Sequence, residues 1–193
     1  MSESDTGLRT RLVDVGVELV TAEGAQALTL REIARRAGVS HGAPRRYFPT
    51  HLELLSAIAR RGFGALADRA GSVLGDGTAE PRTQLAALGE VYLRFALDNP
   101  GMYELMFRHD LLESGRLGLR DTSLPLFGLL TELVGRVRPE ADTRLVAGAL
   151  WANLHGIAQL WSWGSLQLAT DAADFTTLLR SALDAHLGPG GTR

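Results

Sequence analysis

Apolar side chains recur at helical spacing along almost the whole chain. The first such stretch places Leu8, Leu12 and Leu19 on one face of a helix. No segment shows the sustained apolar–polar alternation of a strand, and no Asn-Gly pair marks a hairpin. The pattern predicts an all-α chain of about nine helices. They cover residues 8–22, 29–37, a short segment from Ser40, 51–74, 82–98, 100–108, 124–137, 142–163 and 172–187.

Polar residues mark where two of these helices begin. Thr29 stands three residues before Glu32, and Thr50 repeats this spacing. It is the spacing of a capping box, in which threonine accepts a bond from the helix and glutamate reaches back to the threonine N–H. Gly38 ends the helix that Thr29 begins, and Ser40 is expected to cap the short third helix. Two short helices joined at a glycine predict a helix-turn-helix.

The second helix of this pair has the side chains of a DNA-contacting surface. Its exposed face is expected to carry His41, Arg45, Arg46 and Tyr47. Arginine makes bidentate bonds to guanine or charge-assisted bonds to phosphate, and tyrosine bonds phosphate or packs on a thymine methyl. Because many helical proteins contain two short helices around a glycine, the arginines and the tyrosine carry the DNA-binding interpretation.

Charge is distributed unevenly along the chain. Residues 31–61 hold seven arginines against two glutamates, a local charge of +5, whereas the whole chain has a net charge of −2. A basic segment on a mildly acidic protein indicates that a polyanion binds at one end. The alternative is an ordinary solvated helix surface.

Composition excludes several classes of enzyme. The chain has no cysteine and no lysine, which removes thiol nucleophiles, thiolate metal sites and lysine-dependent phosphate or Schiff-base chemistry. Its five histidines show no metal-ligand spacing, and no Gly-x-Ser-x-Gly elbow or dinucleotide fingerprint is present. No cofactor is therefore expected. No apolar run reaches the length of a membrane span, and the polar N-terminus lacks the pattern of a secretory signal, so a cytoplasmic protein is predicted.

The segment from Thr29 to Ser40, followed by Tyr47-Phe48-Pro49 and Leu52–Leu55, resembles the TetR family of regulators. The resemblance implies a three-helix DNA-binding head, a long fourth helix, and a body that binds a ligand and forms a homodimer. It makes the third helix the recognition helix. The candidate DNA-binding residues are Thr29, Arg31, Ser40, His41, Gly42, Ala43, Arg45, Arg46, Tyr47 and His51.

Three residues depart from the family pattern. Arg45 stands where an aromatic side chain is common, and His51 stands where a lysine usually contacts phosphate. Histidine is largely neutral at pH 7 and should make that contact less well. Pro44 is incompatible with a regular helix capped by Ser40, so the third helix is expected to begin later or to be deformed.

The body resembles, more loosely, a TetR subgroup with a Trp…His-Gly pattern, here Trp151, His155 and Gly156. Trp151, His155 and Gln159 share one helix face and are interpreted as a pocket wall with polar groups that orient a ligand. Ordinary core packing is the alternative. The candidate ligand-binding residues are Tyr92, Phe95, Tyr103, Phe107, Phe127, Trp151, His155 and Gln159.

These observations predict a DNA-binding domain at residues 1–50, a ligand-binding and dimerisation domain at residues 51–187, and a disordered tail at residues 188–193. The predicted function is a repressor that binds a near-palindromic operator in double-stranded DNA as a homodimer. A small apolar effector is expected to release it. The dimer interface is expected in the last two long helices, with Trp161, Trp163, Leu166 and Leu183 as contributors. An all-α small-molecule-binding protein with little specific DNA binding is the alternative.

Overall fold

The computed structural model describes residues 3–108, 110–111 and 118–190, and among these residues it contains helices joined by turns and loops, with no strand. This confirms the all-α prediction. Ten α-helices are found among the described residues, where about nine were predicted. The elements are α1 (Glu3–Glu23), a 3-10 turn (Ala25–Ala27), α2 (Leu30–Arg36), α3 (Ala43–Tyr47), α4 (His51–Leu74), α5 (Pro81–Asp98), α6 (Pro100–Met106), α7 (Arg120–Val137), α8 (Thr143–Ser162), α9 (Ser165–Thr170) and α10 (Thr176–Leu187).

The chain divides into two compact units, and the first is discontinuous in sequence. Residues 1–65 and 99–123 form the first unit, and residues 66–98 and 124–193 form the second. Helix α4 therefore contributes its first part to one unit and its last part to the other. A functional boundary after residue 50 stays a prediction, and the predicted disordered tail falls partly on residues 191–193, outside the described residues.

The first unit is built around one buried face of α1. Leu12 and Leu19 on that face are completely buried, as are Ile33 of α2 and Ile58 of α4. Gly16 lets α4 approach closely, since a Cβ there would lie 2.3 Å from the Ile58 side chain. Helix α6 also packs against α1 and the 3-10 turn, although about 75 residues separate them along the chain.

The second unit is built around α5, α8 and α10, which pack on one another. Leu93, Leu150 and Leu179 are among its buried side chains, and Gly89 of α5 leaves room for Leu179 of α10. The buried Gln84 amide donates to the carbonyls of Gly77 (2.7 Å) and Ala79 (2.9 Å), which fixes the loop before α5. The burial of these apolar helix faces accounts for the helical periodicity of the sequence.

Several helix boundaries differ from those predicted. Helix α1 begins five residues earlier than predicted, and α7 begins at Arg120 and contains Pro125 in its second turn. The short α9 was not predicted. Among the described residues, none of the helices has both the length and the apolar character that a membrane span requires.

Candidate functional site

Helix α2 begins and ends as its sequence predicts. The Thr29 side chain accepts a bond from the Glu32 N–H (3.2 Å), which confirms Thr29 as the N-cap. At the other end Gly38 adopts a left-handed conformation (φ +67°). The Val39 N–H donates to the Ala34 carbonyl (3.0 Å) and the Gly38 N–H donates to the Arg35 carbonyl (3.2 Å). This pair of bonds is a Schellman motif, and it turns the chain sharply toward α3.

The second half of the predicted capping box at Thr29 is wrong. The Glu32 carboxylate does not reach back but binds Arg35 (2.6 and 2.9 Å) and Arg36 (2.7 Å), while the Thr29 N–H donates to the Ala27 carbonyl. Two charged donors on the next turn attract the carboxylate more strongly than a neutral N–H does. Hydrogen bonds from Arg35 and Arg36 lower the pKa of Glu32 to about 2, so this carboxylate stays charged.

The prediction that Ser40 caps the third helix is also wrong, whereas the expected effect of Pro44 is confirmed. Helix α3 begins at Ala43, with Gly42 as its N-cap and Pro44 in its first turn. Ser40 instead starts a turn in which its carbonyl accepts from the Ala43 N–H (3.0 Å). A proline is tolerated in a first turn because its missing N–H would have no partner within the helix.

The arginines of this region fall into two groups. Arg35 and Arg36 are held by Glu32, and Arg36 also pairs with Glu23. Arg31, Arg45 and Arg46 are exposed and have no acidic partner among the described residues. The uncompensated positive charge of the helix-turn-helix therefore lies at one position on α2 and two adjacent positions on α3.

The other predicted DNA-contacting residues lie mostly at the surface. Thr29, Ser40, His41 and Gly42 are exposed, and Ala43 and Tyr47 are half-buried.

His51 is the exception in this group. Its Nε2 lies 2.6 Å from the Leu28 carbonyl, which can only accept, so Nε2 carries the proton and donates it. This bond joins the start of α4 to the segment before α2 and occupies the donor that a phosphate would need. A local role for His51 in holding the two helices together follows from this geometry.

Four of the predicted ligand-binding side chains meet in the second unit. The Tyr92 hydroxyl lies 2.9 Å from His155 Nδ1, and Trp151 Nε1–H donates to the same hydroxyl at 3.3 Å. The Trp151 ring contacts Phe127 and His155 edge-on, with centroids 6.2 Å apart in both pairs. We call Tyr92, Phe127, Trp151 and His155 the aromatic cluster.

The aromatic cluster carries no full charge. Partial burial lowers the pKa of His155, which keeps its imidazole neutral at pH 7. Helix α8 has no Asp, Glu, Lys or Arg between Leu145 and Ser162. Trp151 is nevertheless 40% exposed, so the cluster opens to the surface of the chain. The arrangement suits an uncharged, flat molecule that makes few polar contacts.

The remaining candidate ligand residues have other surroundings. Tyr103 and Phe107 belong to the first unit, where Phe107 packs edge-on against Tyr103 (4.9 Å) and Phe63 (5.6 Å). Phe95 is buried in the second unit with the Arg69 guanidinium over its ring (5.2 Å). Gln159 is half-buried on α8. Within the described residues, no group of three histidine or acidic side chains is placed to hold a metal ion.

Helix α8 presents a second, apolar face to solvent. Leu145, Ala149, Ala152 and Leu160 are exposed on one side of the helix, and Trp163 just beyond its end is 66% exposed. We call these five residues the α8 apolar face. Of the four side chains predicted to contribute to a dimer interface, only Trp163 is exposed. Leu183 is buried, Leu166 is half-buried, and Trp161 packs edge-on against Phe175.

Sequence reasoning missed one basic residue close to the end of α3. The Arg9 guanidinium carbon lies 4.8 Å from the centroid of the Phe48 ring, and Phe48 directly follows α3. Arg9 comes three and four residues before the buried Leu12 and Val13, so it lies on the same face of α1 as these two side chains. This spacing was the signal in the sequence that could have identified it.

Two known families match the chain, and together they cover most of it. Residues 12–58 match the family described as "Bacterial regulatory proteins, tetR family". Residues 85–184 match the family described as "Tetracyclin repressor-like, C-terminal domain". The first range contains the helix-turn-helix, and the second contains all of the aromatic cluster.

Individual relatives agree with these matches. The HTH-type transcriptional regulator BetI of Rhizobium meliloti (strain 1021) is 37% identical over 86 residues, which are 45% of this chain and 42% of BetI. The nucleoid occlusion factor SlmA of Vibrio vulnificus (strain YJ016) is 32% identical over 127 residues, 65% of this chain and 63% of SlmA. Both alignments thus span less than two thirds of the relative's length.

A solved structure is similar over nearly the whole chain. It is that of a protein with unknown function from Rhodococcus sp. RHA1, with a TM-score of 0.79, 26% sequence identity and 93% coverage of each chain.

Proposed function

Because the chain belongs to the TetR family of bacterial regulators, we propose that it is a repressor that binds a near-palindromic operator as a homodimer and is released by a small apolar effector. Membership of this family agrees with a regulator and not with an enzyme. The observation that carries the proposal is a group of three exposed arginines on the helix-turn-helix, Arg31, Arg45 and Arg46, which have no acidic partner in the part of the chain that the structure describes.

Operator binding is supported by the way this charge is displayed. The Schellman motif at Gly38 fixes the angle between α2 and α3, so the α3 arginines are presented from a rigid support. In a dimer, two such helices lie about one DNA turn apart, roughly 34–36 Å, in successive major grooves. A two-fold symmetric protein requires an operator of matching symmetry, which is why a near-palindrome is proposed.

The proposed operator binding is tested by selecting bound fragments from the host genome and measuring fluorescence anisotropy on the enriched sequence and on a scrambled copy. We expect a nanomolar Kd for the selected sequence, at least ~10³-fold preference over the scramble, and a log K that falls linearly with log salt. Failure to enrich any fragment at low salt would contradict a role in transcription.

Dimerisation is proposed through the α8 apolar face together with α10. Exposed leucine and alanine side chains are stabilised when a partner covers them, and small residues allow two helices to approach closely. The matching face of a second copy is the natural cover, because a two-fold axis places the same surface opposite itself.

Replacing Ala152 by arginine in the α8 apolar face is expected to weaken the dimer. Each substitution places two unpaired charges in a symmetric interface, and an unpaired buried charge costs about 3–5 kcal/mol. We expect the dimer dissociation constant to rise by at least about 100-fold in sedimentation equilibrium over a range of protein concentrations. Val73→Arg is the matched control, since Val73 is an exposed apolar residue on a different helix, α4. An unchanged dissociation constant for Ala152→Arg would place the interface elsewhere.

An uncharged effector is proposed for the aromatic cluster. The polar groups of Tyr92, Trp151 and His155 already bond to one another, so the cluster offers rings rather than a carboxylate or a cation. Ring faces and edges contribute about 0.5–1.5 kcal/mol per aromatic pair beyond the area buried. A charged molecule would gain no ion pair there.

Effector binding is measured by the fluorescence emission of Trp151. The variant used carries Trp161→Phe and Trp163→Phe, so Trp151 is its single tryptophan. The uncharged probe N-phenyl-1-naphthylamine is expected to change the Trp151 emission saturably. Phe127→Leu is expected to weaken probe binding about three- to tenfold, because it removes one ring contact at little change in volume. Phe107→Leu is the matched control from the first unit. Equal effects of the two variants would contradict the assignment to the aromatic cluster.

A small-molecule-binding protein with little specific DNA binding is the second candidate function. The observation that favours it is His51, whose Nε2 is bound to the Leu28 carbonyl and not available to a phosphate. Saturable probe binding combined with equal affinity for selected and scrambled DNA would support this candidate.

A further inference from the structure

Arg9 occupies an unusual place for an exposed arginine. It lies on the same face of α1 as the buried Leu12 and Val13, and its guanidinium carbon sits 4.8 Å from the centre of the Phe48 ring. Phe48 is 1% exposed and caps the C-terminal end of α3, with its N–H bonded to the Pro44 carbonyl (2.9 Å). A cation of α1 is therefore held beside the C-cap residue of the helix that carries Arg45 and Arg46.

Within the described residues, Arg9 has no acidic partner, and the ring beneath it supplies attraction without an acceptor oxygen. An aromatic face restricts the guanidinium while leaving its charge available, and guanidinium groups match phosphate oxygens in a bidentate geometry. Restricting a long side chain before binding also reduces the entropy lost when the phosphate arrives.

We propose that Arg9 is a further DNA-contacting residue, whose guanidinium binds a backbone phosphate next to the C-terminal end of α3. This inference rests on the operator binding proposed above. Arg9 precedes residues 12–58, the part of the chain that matches the family's DNA-binding domain, so it lies outside that match. A phosphate contact positions the head on DNA and adds affinity that does not depend on base sequence.

The test compares Arg9→Gln with Arg11→Gln by anisotropy over a salt series, on the selected operator and on the scrambled DNA. Arg11 is a matched control, because it is also an exposed arginine of α1 but points to the opposite side of the helix, two residues further on. Losing one phosphate contact is expected to reduce the slope of log K against log salt by about 0.9, which corresponds to roughly an eightfold weaker affinity at 0.1 M salt. The loss should be the same on both DNAs, and Arg11→Gln should change the affinity less than twofold.

Further variants and outcomes separate a phosphate contact from a structural role. Arg9→Lys keeps the charge and is expected to retain the wild-type slope, and Phe48→Leu is expected to weaken binding because it removes the ring that holds the guanidinium. If Arg9→Gln bound DNA more weakly with an unchanged salt slope and a lowered melting temperature, Arg9 would have a role in core packing and the inference would be wrong.

If Arg9→Gln and Arg11→Gln had equal DNA affinities and equal salt slopes while the wild type still bound its operator, the inference would also be wrong. The proposed function would then still stand. If the wild type bound no DNA, the proposed function itself would fail.

Discussion

Simultaneous replacement of Arg45 and Arg46 by alanine is expected to lower operator affinity by two orders of magnitude or more. Both side chains are exposed on α3 and have no acidic partner among the described residues, so no internal ion pair offsets their loss. Each well-formed bidentate contact to a base contributes about 1–3 kcal/mol, and a phosphate contact contributes through counterion release. The measurement is anisotropy on the selected operator over a salt series.

The control for this experiment removes the same net charge elsewhere. The pair Arg61→Ala and Arg69→Ala qualifies, because Arg61 is bound to Asp14 and Arg69 lies over the Phe95 ring. This control should change operator affinity by much less than the α3 double variant. If both double variants weakened binding equally, the effect would be one of net charge, and α3 would not be the recognition helix.

Replacing Gly101 by alanine is expected to destabilise the fold by about 3 kcal/mol, at the upper end of the range for overpacking. A Cβ at this position would lie 2.5 Å from the Val20 carbonyl oxygen and 2.9 Å from the Gly24 Cα. Both atoms belong to the backbone, so no side-chain rotation can relieve the clash, and α6 must move away from α1. For a chain of this size the melting temperature should fall by roughly 6–12 °C in circular dichroism at 222 nm.

Gly71→Ala is the matched control for Gly101→Ala. Gly71 is an exposed helical glycine of α4 with nothing within 4 Å of the added Cβ. The substitution should raise stability by about 0.5–1 kcal/mol, because alanine loses less backbone entropy than glycine in a helix. A Gly101→Ala protein as stable as the wild type would show that α6 does not pack on α1 at this distance.

The features that the sequence predicted correctly are mostly local. Thr29 and Gly38 define the two ends of α2 because caps depend on residues within one turn of the helix. Pro44 delays the start of α3 for an equally local reason. The six-residue α9 was missed because a segment of that length contains fewer than two turns and shows no readable period.

The errors arise where several partners compete for one group. Glu32 had a neutral backbone N–H and two guanidinium groups within reach, and the charged donors bind it. Sequence spacing shows which groups are near one another, but only their relative strengths decide which bond forms.

The membership of the candidate sites was only partly predictable. The spacing of Trp151 and His155 places them on one helix face, but the bonds to Tyr92 join residues 59 and 63 positions apart. Tyr103 and Phe107 have the same aromatic character, yet they pack with Phe63 in the first unit. Arg9 and Phe48 are separated by 39 positions. Which helices become neighbours is decided by packing of the whole chain, and no local pattern contains that information.

The discontinuity of the first unit has a consequence for how the protein is made. A ribosome delivers the N-terminus first, and many domains fold as soon as their last residue has emerged. Here the helix-turn-helix emerges early, but the surface of α1 on which Gly101 rests stays uncovered until α5 has been synthesised and α6 follows it. A nascent chain arrested before residue 99 therefore carries every proposed DNA-contacting arginine of the helix-turn-helix in an incompletely packed head. Under the proposed function, the head can recognise an operator only after the whole of the second unit's first segment, residues 66–98, has also been translated.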